Sequence, residues 1–178
     1  MDAGWTQALA RVRKGEPNAT EALYALVYDH LYRLARRTAP GATLTPTALV
    51  HEAFLKLTGH EASIVDKQHF TALAARAMRQ IVVDHARRKS ALRRQAPPGD
   101  PGPDSLSSHE EVLAVHDALS KLEAVDERLA RVVELRFFAG FSEEEIAEAT
   151  GVTVRTVRRD WRKARAFLFE VVQGRPPE

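Results

Sequence analysis

The sequence predicts an all-α chain made of two small helical domains joined by a Pro/Gly-rich linker, the second domain a helix-turn-helix. Three observations carry this. Apolar residues recur at helical spacing through most of the 178 residues, and there is no period-2 run with hairpin punctuation. Pro97, Pro98, Gly99, Pro101, Gly102 and Pro103 crowd one short stretch, where they remove helix and strand options and leave little that can enter a core. Finally, Gly151 stands between two amphipathic patterns, each opened by a hydroxyl residue suited to capping a helix, Ser142 and Thr153.

The elements follow in order. Trp5, Ala8, Leu9 and Val12 fall at i, i+3, i+4 and i+7 and predict a first helix. After Pro17 and Asn18, the residues Leu23, Leu26, Val27, Leu31 and Leu34 predict a second, stopped by Pro40-Gly41. A third starts with Thr45 as cap and Pro46 in the first turn, ends at Gly59, and lines up Val50, Ala53, Phe54 and Leu57 on one face. A long fourth runs from about Lys67 into a basic cluster at 87–94; its apolar stripe of Phe70, Leu73, Ala74, Ala77 and Ile81 leaves Arg76, Arg79 and Gln80 exposed. Beyond the linker, Ser108 with Glu111 and Ser142 with Glu145 have capping-box spacing, and Asp126 caps a helix between them. Four helices are expected on each side, with domains at 1–94 and 108–178 and a linker at 95–107. Extended at ~3.3–3.6 Å per residue, that linker reaches roughly 45 Å, so the halves need not touch.

Composition narrows the chemistry. There are 26 Lys and Arg against 24 Asp and Glu, a formal net charge of +2. The chain has no cysteine, which excludes disulfides, cysteine zinc sites, iron–sulfur clusters and thiol nucleophiles and fits a reducing compartment, the cytoplasm. Neither a signal peptide nor a membrane-spanning run is expected. Seven histidines suggest no metal site, because His51-Glu52 lacks a second histidine four positions after the first. No phosphate loop, nucleophile elbow or βαβ unit is present, so neither a catalytic residue nor a cofactor is expected.

Charge is instead distributed in blocks. Residues 76–94 carry seven basic side chains against Asp84 alone, and residues 155–165 carry six against Asp160 alone. The intervening residues 100–127 carry eight acids against Lys121. In the second basic block, Val157, Trp161, Ala164 and Leu168 give one helix an apolar stripe, which turns Arg155, Arg158, Arg159, Arg162 and Lys163 outward. Ahead of it stand Ser142, a small Ala147 where two helices would cross, Gly151 for a turn with positive φ, and Val152 as a core plug. A cationic helix face beside such a turn suits the DNA major groove.

Taken with the fourth helix, these motifs resemble the ECF (extracytoplasmic function) class of bacterial RNA polymerase sigma factors, over almost the whole chain. Leu49-Val50-His51-Glu52-Ala53-Phe54-Leu55-Lys56-Leu57 resembles the family's clamp-binding helix, the helix from Phe70 to Lys89 its promoter-melting helix, and the segment from Glu134-Leu135-Arg136-Phe137-Phe138 to Leu168 its upstream-promoter reader. The resemblance implies that the first domain docks on the clamp of core RNA polymerase through His51, Glu52 and Lys56. It also implies that this domain holds the melted minus-ten element of promoter DNA with Arg76, Arg79, Gln80, Arg87 and Arg88, beside a base-capturing loop at 59–68. The second domain would read the minus-thirty-five element with Arg155, Thr156, Arg158, Arg159, Arg162 and Lys163. An anti-sigma factor is a further partner of the kind the class uses. The sequence departs from many members in carrying Thr45-Pro46-Thr47-Ala48 where acidic residues precede the clamp helix, which leaves Glu52 as the main acidic contact. Two alternatives stay open: a helix-turn-helix regulator with a helical dimerisation domain, and a DNA recombinase, although residues 1–94 offer only Ser63 and Ser90 as serine nucleophiles and no strands.

Overall fold

The computed structural model describes residues 3–38, 44–58, 64, 66–95 and 106–173, and every regular element among them is helical. In chain order these are α1 (Ala3–Arg13), α2 (Ala19–Thr38), α3 (Pro46–Leu57), α4 (Lys67–Gln95), α5 (Leu106–Val125), α6 (Glu127–Val133), α7 (Glu143–Thr150) and α8 (Val154–Val172). A π-helical segment, Glu134–Ala139, continues α6.

In the first half, α2 and α3 pack on α4 around Leu31, Leu49, Val50, Phe70, Met78 and Ile81, all almost wholly buried. Trp5 of α1 closes one end, its ring 4.8 Å from that of Phe70. The caps are the expected ones for α3: Thr45 Oγ1 accepts from Ala48 N at 3.2 Å, with Pro46 in the first turn. Asp66 supplies the corresponding cap for α4, accepting from His69 N at 2.7 Å. In the second half, Leu122, Val132, Leu135, Ile146, Val157 and Ala164 form the core. Asp126 caps α6, and Ser142 and Glu145 close a reciprocal capping box at 3.2 and 2.8 Å.

The structure departs from the sequence expectation in four places. Helix α4 runs through Gln95 and α5 starts at Leu106, so Ser108 lies inside a helix rather than capping one. The last helix breaker upstream is Pro103, and nothing between it and Ser108 stops the helix from starting earlier. Leu26, placed in the α2 apolar stripe, is largely exposed. Arg79, expected in solvent, keeps only 11% of its side-chain exposure. Gln80 is half-buried. The last two changes share a cause: α4 is apolar on more than one face, with Ala72, Ala75, Val82, Val83 and Ala86 buried as well as Phe70, Ala74 and Ile81 of its stripe, whose Leu73 and Ala77 are half-buried. One face meets α2 and α3, and the other meets α5 and the π-helical segment. The two halves are thus in contact, and one apolar cluster runs through both. The helix stops at Pro40-Gly41 and Gly59 and the central linker at 96–105 lie outside the described residues.

Candidate nucleic-acid interface

Helix α7, a short turn and α8 build the strongest candidate surface. Gly151 adopts φ +68°, the left-handed conformation that ends α7. Val152 N then donates to Ala147 O at 3.1 Å, and Thr153 Oγ1 accepts from Thr156 N at 3.2 Å to start α8. Val157 and Ala164 are buried completely, and Trp161 and Leu168 are half-buried against the core. The helical repeat therefore turns Arg155, Arg158, Arg159, Arg162 and Lys163 to solvent, where all five are exposed.

Acidic residues hold two of these cations from below. Arg158 Nε lies 2.6 Å from Glu143 Oε2, and Arg136 reaches the other oxygen at 3.0 Å while its guanidinium sits 4.7 Å from the Trp161 ring centroid. Hydrogen bonds from Arg158 and Arg136 hold the Glu143 carboxyl below the usual carboxylate range, and Glu143 in turn raises Arg158. Asp160, inward-facing and fully buried, takes Arg128 Nε at 2.8 Å and Arg159 Nε at 3.4 Å. Arg155, Arg162 and Lys163 make no ion pair among the described residues. Thr156 is half-buried, with its hydroxyl 3.0 Å from that of Thr153, the residue that caps α8.

The sequence pattern pointed to the outward cations, but Asp160 and Glu143 as their anchors were missed. A lone acid inside a basic block was the available signal for Asp160.

On the first half, His51, Glu52 and Lys56 are exposed together on α3. His51 stands edge-on to Tyr24 at 5.5 Å, and Lys56 Nζ is 3.9 Å from Asp84 of α4. Leu55, 71% exposed between them, adds an apolar side chain to this surface; its sign in the sequence is an apolar residue off the buried stripe. On α4, Arg76, Arg87 and Arg88 are exposed. Arg76 lies 3.8 Å from Glu123, Gln80 Nε2 donates to Asp84 Oδ1 at 2.9 Å, and Arg88 Nε donates to the Asp84 carbonyl at 3.3 Å. Arg79 instead faces the second half, 2.6 Å from Glu134. Of the loop at 59–68, only residues 64 and 66–68 are described; Ile64 is buried and its carbonyl accepts from Arg13.

Among the described residues, no group of three or more His, Asp or Glu side chains is arranged to hold a metal ion. No described helix is long and apolar enough to cross a membrane.

A family model for the ECF sigma factor matches residues 3–174, which takes in both halves and the segment between them. The chain belongs to the ECF sigma factor family. No curated protein sequence matches it. This ECF sigma factor is accordingly a transcription initiation factor, from a family that acts on core RNA polymerase and promoter DNA and is not a family of enzymes. Exposed cations stand on its α4 and α8, and α3 carries a surface of mixed charge.

Proposed function

We propose that this sigma factor docks on the clamp of core polymerase through the exposed side of α3, with Glu52, His51 and Lys56, and delivers the polymerase to promoters in the cytoplasm. Residues 1–94 act on the minus-ten element through α4, where Arg76, Arg79, Gln80, Arg87 and Arg88 favour the single-stranded product over the duplex. Residues 108–178 read the minus-thirty-five element, and the linker at 95–107 threads through the polymerase. No bond is made or broken by this chain, so the reading needs neither a catalytic residue nor a cofactor. An anti-sigma factor would act by covering these surfaces.

The observation that carries the reading is the outward face of α8. Five cations stand on one side of a capped helix that follows a left-handed glycine turn. The first turns of such a helix lie deepest in the groove. Arg155, Arg158 and Arg159 therefore take base edges, while Arg162, Lys163 and Arg165 hold phosphates.

The test is transcription in vitro with core polymerase from a promoter library randomised at the upstream element. The wild type should select a defined sequence. Arg158→Ala should relax one or two base pairs, since an arginine–guanine pair is worth about 1–3 kcal/mol of discrimination. Lys163→Ala should weaken every promoter alike and lower the salt dependence by about one counterion. Absence of factor-dependent transcripts, or the same selected sequence from wild type and Arg158→Ala, would refute the assignment.

A further inference from the structure

We propose that the pocket where the end of α2 meets the π-helical segment and α8 binds a free nucleoside polyphosphate, with the base laid on Phe137 and the phosphates held by Arg36 and Arg37.

The pocket has a volume of about 400 Å³ and is lined by Arg36, Arg37, Arg136, Phe137 and Trp161, a size within the range of small-molecule sites. Among the described residues, no carboxylate lines it. Guanidinium groups repel one another, so a wall with three of them calls for an anion. Phosphate suits arginine in particular, because the planar fork donates two parallel hydrogen bonds to one phosphate group. The two aromatic rings add a second demand, a flat face to stack on them. A nucleotide carries both in one molecule.

The lining residues differ in how far they are already engaged. Arg136 is committed, its guanidinium 4.7 Å from the Trp161 ring centroid and its NH1 3.0 Å from Glu143, and so forms a fixed back wall. Arg36 and Arg37 are exposed and make no ion pair among the described residues. Arg37 NH2 donates only to the carbonyls of Arg136 and Phe137, at 3.5 and 3.4 Å, the long end of the hydrogen-bond range. Both charges are therefore uncompensated. Gly140 makes room for the second of them: a Cβ there would collide with the Arg37 guanidinium.

Phe137 is 55% exposed and stands edge-on to the buried Phe138, with ring centroids 5.2 Å apart. One side of the ring is thus anchored while over half of its surface stays open to a ligand. Inorganic phosphate alone would leave that ring without a partner, and an apolar molecule would leave the arginines without one. Trp161 belongs to the inward stripe of α8 with Val157 and Ala164. The pocket therefore lies beside the outward cations assigned to promoter DNA, which favours a free nucleotide over one held in a strand.

The test is isothermal titration calorimetry of the full chain with ATP, GTP, adenosine and inorganic triphosphate. One equivalent of ATP or GTP should bind, and adenosine and triphosphate should each bind at least about tenfold more weakly, since each makes only part of the contacts. Arg36→Ala and Arg37→Ala should each weaken ATP and triphosphate about tenfold, the loss of a charge-assisted hydrogen bond. Phe137→Ala should weaken ATP about tenfold through lost stacking and leave triphosphate unchanged. Photolabelling of the unsubstituted chain with azido-ATP, mapped by mass spectrometry, should mark Phe137 or Trp161, which keeps the site testable if a variant fails to fold.

No binding at millimolar ATP, triphosphate as tight as ATP, or labelling elsewhere would each overturn the proposal. So would a loss of ATP affinity on Arg155→Ala and Arg162→Ala as large as on Arg36→Ala, which would put the nucleotide on the outer face of α8. Single-stranded DNA whose binding depends on Arg36 and Phe137, in a chain that binds no ATP, would assign the pocket to a strand and overturn the free ligand.

Discussion

Asp160 and Arg128 share an ion pair but not its risks. The acid is fully buried, whereas the arginine keeps 49% of its side-chain exposure. Removing Arg128 leaves a buried carboxylate with Arg159 alone, 3.4 Å away; removing Asp160 leaves a guanidinium that water can solvate. Arg128→Ala should therefore cost more, about 2–3 kcal/mol after discounting for the exposed partner, and Asp160→Ala clearly less. Urea denaturation of both variants tests the order, and a costlier Asp160→Ala would show that packing rather than charge governs the site. A second residue-scale prediction concerns pH. Thr71 Oγ1 donates to the Lys67 carbonyl at 2.8 Å and so must accept from His30 Nε2, 2.9 Å away, which places the proton of neutral His30 on Nε2. Burial first, then Lys67 and Arg33, hold the His30 pKa below its ordinary value. The unfolded chain thus binds this proton more readily than the folded one. The contribution to stability is complete above about pH 6.5 and is lost as pH falls below it. His116 shifts the same way, mainly through burial, then Arg79 and Arg87, against weaker opposition from Asp117 and Asp84. The urea midpoint should drop between about pH 7 and 5, and His30→Gln should flatten part of that slope; an unchanged slope would exclude His30 as a source.

At the scale of elements, caps and turns set where each helix begins and ends. Gly151 has φ +68°, and a Cβ there would meet nothing within 4 Å, so the cost of Gly151→Ala is backbone strain alone, about 1–2 kcal/mol. Thermal unfolding should register that loss while helical content stays the same. A neutral substitution would mean that the turn relaxes to another conformation. The caps at Thr45, Asp126, Ser142 and Thr153 were all readable in advance, because a cap is a local bond between a side chain and a backbone N–H two or three residues away. The π-helical segment was not. It carries Glu134, Arg136, Phe137 and Phe138, and a widened turn changes which of them faces a neighbour without altering residue type or spacing.

For the whole molecule, the segment between Pro97 and Ser105 is the expected point of proteolytic entry, since six of its residues are proline or glycine. Limited proteolysis should divide the 19.8 kDa chain into two fragments of about 10 kDa. Because the halves share an interface, the fragments should remain associated on a sizing column at low salt and separate as salt rises. Cleavage elsewhere with this segment intact would argue against the division at 95–107. The fragments then show directly whether each half folds alone.

By itself the sequence determined the helices, the order of the two halves, the cationic face of α8 and the exposed side of α3, because periodicity and capping depend on residues close in the chain. The tertiary structure alone decided that Arg79 is spent on Glu134, that Asp160 anchors the arginines around it, and that α4 buries a second face. Each of those depends on groups brought together from distant positions: Arg79 from Glu134, Arg128 from Asp160, Gln68 from Glu148. A helical pattern states which side of a helix is apolar. Which charges it meets is fixed only when another helix arrives, and there desolvation turns an apparent surface arginine into part of an interface.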